Sequence, residues 1–537
     1  MMSLLREQIV SILITVVISA LLITGCTQPQ QTTVQTPQAT TGISASIETT
    51  GAQQSDTIRL VNDPLVVKTD AGYVSGMQQN GLRVYLGIPF AAPPVGYLRW
   101  RPPAPVRPWS GVRQTTAFAA NPPQPPHTQP DQSEDCLYLN VWTPARSADE
   151  RLPVMVFFYG GAFGQIEGGG NMSVFNGTTL AKQGVILVTT NYRLGPLGFL
   201  AHPELDKESP NNSSGNYGIM DQVAALQWVQ HNIGAFGGDP SRVTIFGQSA
   251  GGESVLIHLV SPQSRGLYQQ ALVESGPFWA HGPTIDNVHS KADAEQIGTD
   301  YARSLGYPGP DAIQKMRNRS ADDLVNATPW PLSAWQNTHT LKFEPTVDGW
   351  VLPDSLDNLF LRHQENPVPF FIGTNADDGE VLAADANMTV PEYVTFIRNY
   401  FGKDADVVLA QYPANSTQEV QLRLSQIMTR YDFADSAKFA AGSMADLNPG
   451  TYLYRYSYNI PSLNMGAFHG SETFLLFGAG PQLGVDPAVT DNVVDLWTSF
   501  AKTGNPNGRM NFTWPRYTRA GDQYLDINTT LTVETGY

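Results

Sequence analysis

Val243-Thr244-Ile245-Phe246-Gly247-Gln248-Ser249-Ala250-Gly251-Gly252 decides how this chain is read. The first four residues are apolar and suit a strand, and Gly252 to Val260 suits a helix. A strand, a tight reversal and a helix, with serine at the reversal, is the setting of a nucleophile elbow. Glycines on either side of that serine relieve crowding where side chains would collide with the turning backbone. The reversal pushes the Ser249 hydroxyl out at the top of the sheet. It also sets the hydroxyl at a helix N-terminus, where free backbone N–H groups can stabilise an oxyanion. A Gly-x-Ser-x-Gly pentapeptide alone also describes an ordinary Gly/Ser turn, so its companions and their order carry the weight.

The first companion lies upstream. Val154 to Phe158 reads as a fully buried parallel strand. It runs into Tyr159-Gly160-Gly161-Ala162-Phe163, where backbone can approach a ligand closely. Given Ser249, the N–H groups of Gly161, Ala162 and Ala250 are the candidate oxyanion donors. One such donor is typically worth ~10²–10³ in rate.

The second companion is a histidine, since the order in this architecture is Ser, acid, His. Of nine histidines, His127, His202 and His231 precede Ser249. His258 falls in the helix directly after the elbow, and His281, His289, His339 and His363 leave little room for an acid on a separate strand end. His469 stands apart, in the Gly-flanked loop Gly466-Ala467-Phe468-His469-Gly470-Ser471-Glu472. The acid must lie between. Pro369 to Gly373 reads as another buried strand end, followed by Thr374-Asn375-Ala376-Asp377-Asp378-Gly379-Glu380. A carboxylate there would hold the imidazole tautomer and stabilise imidazolium. Residue chemistry leaves Asp377, Asp378 and Glu380 open, and an acidic turn describes at least two of them.

Longer motifs surround these residues. They are Phe236 to Glu253 around the elbow, Ser133-Glu134-Asp135-Cys136-Leu137-Tyr138-Leu139-Asn140-Val141, Gly87 to Ala91, Asn191-Tyr192-Arg193, Gly215 to Gly218, Asp221-Gln222, Phe343 to Gly349 and Gly504 to Asn507. Together, over roughly residues 64–517, the chain resembles the type B carboxylesterase/lipase family, the cholinesterase-like branch of the α/β-hydrolases. The resemblance implies a serine hydrolase that cleaves carboxylic esters through an acyl-enzyme, with no cofactor. It implies Asp378 as the triad acid, because Gly373 to Gly379 aligns with the family pattern Gly-x-Asn-x-Asp-Glu-Gly. The family usually has Glu at that position. The shorter Asp must lean closer to His469 or sit on a shifted loop. Ser275, in Glu274-Ser275-Gly276, would support the acid through a hydrogen bond, with a plain loop serine as the alternative. The family often pairs the cysteine at position 136 with one upstream; here Pro122 stands near the expected place. The choline-stacking tryptophan of cholinesterases has no counterpart in His127 to Gln132. Two other readings stay open: a non-catalytic surface adhesion or binding protein of the same fold, against which Ser249 and His469 argue, and a longer-chain lipase.

The expected architecture is α/β, a mostly parallel central sheet with helices on both faces. Residues 64–110 would add an antiparallel edge, and the polar helical segments 280–340 and 390–445 would wall a gorge. The 537 residues alone suggest about three or four domains, but the motifs spread over one catalytic unit, 58–537. Arg6 precedes an apolar run from Ile9 to Ile23, and Ile23-Thr24-Gly25-Cys26 reads as a lipobox. The expectation is a lipoprotein signal peptide over 1–25, lipid on Cys26 and a flexible membrane tether over 26–57, rich in Gln, Thr, Ser and Ala. An uncleaved anchor helix is the alternative, and both place the enzyme outside the cytoplasm, at the cell surface or in the periplasm. A net charge of −16 argues against nucleic acid. There is no Walker loop, no His-Glu-x-x-His and no Cys/His cluster, so neither metal nor cofactor is expected. The expected partners are a small-molecule ester and, through Cys26, a membrane. Oligomeric state is left open.

Overall fold

Apolar runs separated by helices assemble an 11-stranded sheet in the computed structural model. The structure describes residues 63–125, 131–165, 172–277, 289–328, 343–384, 386–508 and 513–537. The stretches expected to be a signal peptide and a tether, Cys26 among them, lie outside the described residues.

The strands of this sheet are β1 (Met77–Gln79), β2 (Leu82–Pro89), β3 (Tyr138–Thr143), β4 (Leu152–Phe158), β5 (Ile186–Thr190), β6 (Gly238–Gln248), β7 (Gln270–Glu274), β8 (Phe370–Asn375), β9 (Thr451–Tyr456), β10 (Gln523–Ile527) and β11 (Leu531–Thr535). Their spatial order is β11-β10-β9-β8-β7-β6-β4-β5-β3-β2-β1. Every pairing from β5 across to β10 is parallel. Both flanks are antiparallel: β3, β2 and β1 at one edge, β11 at the other. The antiparallel edge expected over 64–110 is therefore present. It is accompanied by a small separate sheet of Val66–Lys68, Tyr73–Ser75 and Val112–Gln114.

The continuous apolar runs are explained by cover on both faces. All residues of β5 and β8 are buried. Among the flanking helices, α1 (Tyr217–Asn232) and α2 (Ala250–Val260) pack against β6, and α6 (Pro487–Thr503) packs against β4 and β6. The strand before the elbow is longer than its apolar segment Val243 to Phe246. Its polar start, Gly238 to Arg242, extends it because Gly238 pairs with Leu152 of β4.

A second hydrophobic core is built from helices alone. It contains α3 (Val390–Phe401) and α4 (Thr417–Ile427), with Tyr393, Ile397, Val420, Leu424, Ile427 and Met428 buried at its centre. From α4 the chain passes through a π-helical turn, Met428–Ala434, into α5 (Asp435–Leu447), which packs on β8 and β9. This helical cap occupies most of the 390–445 segment expected to be helical. The 280–340 segment is helical over Lys291–Ser304, Ala312–Arg317 and Ala321–Asn326, and residues 278–288 and 329–342 lie outside the described residues.

A buried ion pair and a part-buried one fasten the motifs that surround the sheet. Arg193 and Asp221 meet through Nε–Oδ2 at 2.7 Å and Nη2–Oδ1 at 2.8 Å. Arg99 reaches Glu134 at 2.6 Å and also donates to the carbonyls of Met316 and Arg319. Cys136 is fully buried and unpaired, and burial pushes its thiol well above the usual range. No helix among the described residues is long and apolar enough to cross a membrane.

Candidate active site

From Val243 to Ser261 every residue is buried except Ser249, which is half-buried. The cause is local. Ser249 has φ 57° and ψ −126°, a conformation a non-glycine residue rarely adopts. Its N–H is tied to the Glu274 carbonyl at the end of β7 at 2.9 Å, and its own carbonyl accepts from Glu253 N at 2.9 Å, starting α2. The flanking glycines are required by close approach. A Cβ on Gly251 would lie 2.0 Å from the Phe158 carbonyl oxygen, and one on Gly247 would lie 2.4 Å from the Gly251 oxygen.

The upstream glycine loop meets the elbow directly. A Cβ on Gly160 would fall 2.8 Å from Ser249 Cβ. Beyond it, Gly161 is half-buried and Ala162 exposed, and Ala162 and Phe163 both take positive φ, 52° and 54°. Ala250 opens α2, and first-turn N–H groups have no intrahelical acceptor. The strand end beneath the loop is braced by two tyrosines. Tyr159 Oη donates to the Tyr192 carbonyl at 3.0 Å, Tyr192 Oη to the Tyr159 carbonyl at 2.8 Å, and their rings stack 4.3 Å apart.

The acid loop follows β8, two strands from the elbow. Of its three carboxylates, Asp377 and Glu380 are exposed and Asp378 is fully buried. Asp378 Oδ1 lies 2.7 Å from His469 Nδ1. Its Oδ2 accepts from Ser275 Oγ at 3.0 Å and from Asn375 N at 2.8 Å. With a carboxylate at Nδ1, the ring proton sits there and Nε2 remains the basic nitrogen. His469 is half-buried, with 8% of its side chain exposed.

Asp378 reaches the imidazole although it is a methylene shorter than the Glu usual in the family, because the two loops are laced together. Asp377 N donates to the Ala467 carbonyl at 3.0 Å, and Ala467 N donates to Asp377 Oδ2 at 2.8 Å. Asp377 thus serves the histidine loop through its backbone and carboxylate, while its neighbour serves the ring.

Sequence reasoning passed over three residues at this site. Asn375 donates through Nδ2 to the Phe468 carbonyl at 2.8 Å and to Glu472 Oε2 at 2.5 Å. Glu472 is fully buried; desolvation, with some help from the Asp378 charge, pushes its carboxyl up to about 8. Phe433, from the π-helical turn, lies with its ring centroid 4.8 Å from that of His469. The one available signal was the run of Phe474, Leu475 and Leu476, which begins two residues after Glu472 and marks a buried stretch.

Two other histidines, His258 and His202, are structural. His258 is buried between Ser264 Oγ at 2.7 Å and Gln222 Oε1 at 3.0 Å, and desolvation pushes it down to about 3. His202 accepts from Glu204 N as a helix cap. No group of three or more His, Cys, Asp or Glu among the described residues could hold a metal ion.

The family model described as the carboxylesterase family matches residues 63–537. The chain belongs to the carboxylesterase family. Members of known activity resemble it along most of their length. It is 36% identical over 487 residues to a fumonisin B1 esterase of Sphingopyxis macrogoltabida, covering 86% of each chain. It is 34% identical over 492 residues to the para-nitrobenzyl esterase of Bacillus subtilis (strain 168), covering 87% of this chain and 96% of that one. A solved structure of a PNB esterase superimposes with a TM-score of 0.77 at 33% identity, covering 87% of this chain and 97% of that one. This carboxylesterase-family chain therefore has the α/β-hydrolase fold and is a carboxylic ester hydrolase.

Proposed function

We propose that Ser249, Asp378 and His469 form the catalytic triad of this esterase, and that it cleaves small-molecule carboxylic esters through an acyl-enzyme. The observation that carries this reading is the 2.7 Å contact between Asp378 and His469, taken with an elbow on which Ser249 alone reaches solvent. His469 Nε2 takes the Ser249 proton as Oγ attacks the ester carbonyl. The N–H groups of Gly161, Ala162 and Ala250 receive the developing oxyanion. The imidazolium, steadied by Asp378, then protonates the departing alcohol. Water enters and the same groups release the acid. Ser275 and Asn375 hold the Asp378 carboxylate in the orientation the imidazole needs.

The site works at the surface of a membrane in this reading, with lipid on Cys26 and residues 26–57 as the tether. The lipobox Ile23-Thr24-Gly25-Cys26 supports it. The named substrates of the relatives, fumonisin B1 and para-nitrobenzyl esters, support small organic esters as the class.

Hydrolysis of p-nitrophenyl esters of increasing acyl length, by the parent and by Ser249→Ala, tests the chemistry. Activity abolished in the variant supports the triad, and the chain-length optimum separates a short-chain esterase from a lipase. Undiminished activity in S249A refutes it. Metabolic labelling with a fatty acid, compared between the parent and Cys26→Ser, tests the anchor.

A further inference from the structure

A single hydrogen bond does not fix an imidazole. The Asp378–Nδ1 contact sets one edge of the His469 ring, but the ring can still swing about that contact and carry Nε2 away from the elbow. Something must press on a face. Phe433 is the ring placed to restrict that swing: it is 1% exposed, its centroid lies 4.8 Å from that of His469, and the rings are tilted by 48°. That separation lies in the range of roughly 4.5–7 Å over which aromatic pairs attract.

The delivery of this ring is unusual. Phe433 sits in a π-helical turn, Met428–Ala434, between the α-helical segments α4 and α5. A wider i→i+5 turn shifts the side chains that follow it around the helix relative to α-register, and such turns are frequent at functional sites. The same segment also touches the acid loop. Thr429 Oγ1 accepts from Gly379 N at 2.9 Å, and a Cβ on Gly379 would meet the Ser425 carbonyl oxygen at 2.1 Å. The helix thus holds the loop that carries Asp378 from one side and the His469 ring from the other.

We propose that Phe433 is a positioning residue for His469, its ring holding the imidazole plane so that Nε2 faces Ser249. The proposal rests on reading His469 as the general base. The test compares Phe433→Leu and Phe433→Tyr in the full chain, on p-nitrophenyl acetate, with His469→Ala and Ser249→Ala alongside. Leucine keeps apolar bulk and removes the flat ring; tyrosine keeps the ring. The expected result is a kcat roughly three- to tenfold lower in F433L, the typical worth of a ring pair. KM stays within about twofold, because no substrate contact is lost, and F433Y retains kcat within about twofold of the parent. A kcat in F433L within twofold of the parent, even with a lowered melting temperature, overturns the proposal, as does an equal loss in F433Y. Full activity in H469A is a different failure: it removes the base assignment itself.

Discussion

Glu472→Gln isolates the energetics of the buried carboxyl behind the site. Asn375 Nδ2 donates to Glu472 Oε2, and Oε1 is buried with no hydrogen-bond partner among the described residues. Gln is nearly isosteric with the protonated acid, its amide nitrogen standing where the protonated Oε1 stood. The carboxyl is pushed from its ordinary 4.5 up to about 8. Below pH 4.5 the folded and unfolded states both hold the proton, and Glu472 adds no pH dependence. Between 4.5 and 8 the unfolded chain releases it while the native protein keeps it, so stability falls as pH rises. Above about 8 the native group ionises too and the loss levels off. The slope approaches about 1.36 kcal/mol per pH unit, so roughly 2.5 kcal/mol is lost between pH 5 and pH 7. For a folded unit of this size the melting entropy is about 1 kcal/mol per kelvin, so the melting temperature moves by ~2.5 °C. The assay is the melting temperature of parent and E472Q at pH 5, 6 and 7, taken as a difference at each pH. Any fixed cost of the amide cancels in the trend. The variant should gain on the parent as pH rises, by ~2.5 °C over that span. A difference that stays flat across the range refutes the reasoning, because Glu472 would then ionise alike in both states.

Other perturbations read other parts of the molecule. Ser249→Ala should lower kcat by about 10⁴–10⁶ with an unchanged melting temperature, measured on p-nitrophenyl acetate. Asp378→Asn should lower kcat by ~10⁴, since the amide lets the imidazole sit in the wrong tautomer. Gly251→Ala should leave little folded protein, because its Cβ meets the Phe158 carbonyl oxygen at 2.0 Å and neither backbone can retreat; the soluble yield reads it. Asp221→Asn should destabilise the fold by about 3–5 kcal/mol, because it strands the buried Arg193 charge, and the melting temperature reports it.

The elbow was legible because its requirement is steric and local. Glycines at positions 247 and 251 have meaning only where two backbones pass within contact distance, and the strand end at Phe158 supplies the second backbone. The parallel sheet was legible from continuous apolar runs such as Val154 to Phe158 and Pro369 to Ile372, which only cover on both faces explains. The acid was not. Asp377, Asp378 and Glu380 look alike as residues on a turn. What separates them is the pairing of Asp377 with the loop before His469, which buries one carboxylate and exposes its neighbours. Phe433 was hidden for another reason. A π-helical turn inside a continuous helix leaves the apolar periodicity almost intact, so no break in pattern announces which way the next ring will point. Glu472 was hidden because a charged residue in a Gly-rich loop reads as solvent-exposed. Its burial follows from long-range structure: Asn375, 97 residues earlier at the end of β8, donates to its Oε2.

The helical cap has a core of its own, joined to the body through the segment that carries Phe433. Two cores need not melt together. A unit held by a few small helices opens at lower free energy than the sheet beneath it. Heat should therefore quench turnover before it melts the sheet. Below the main transition the amides of α3 and α4 should exchange with deuterium sooner than those of β6 and β8. The working temperature range of this enzyme is then set by its smallest hydrophobic cluster.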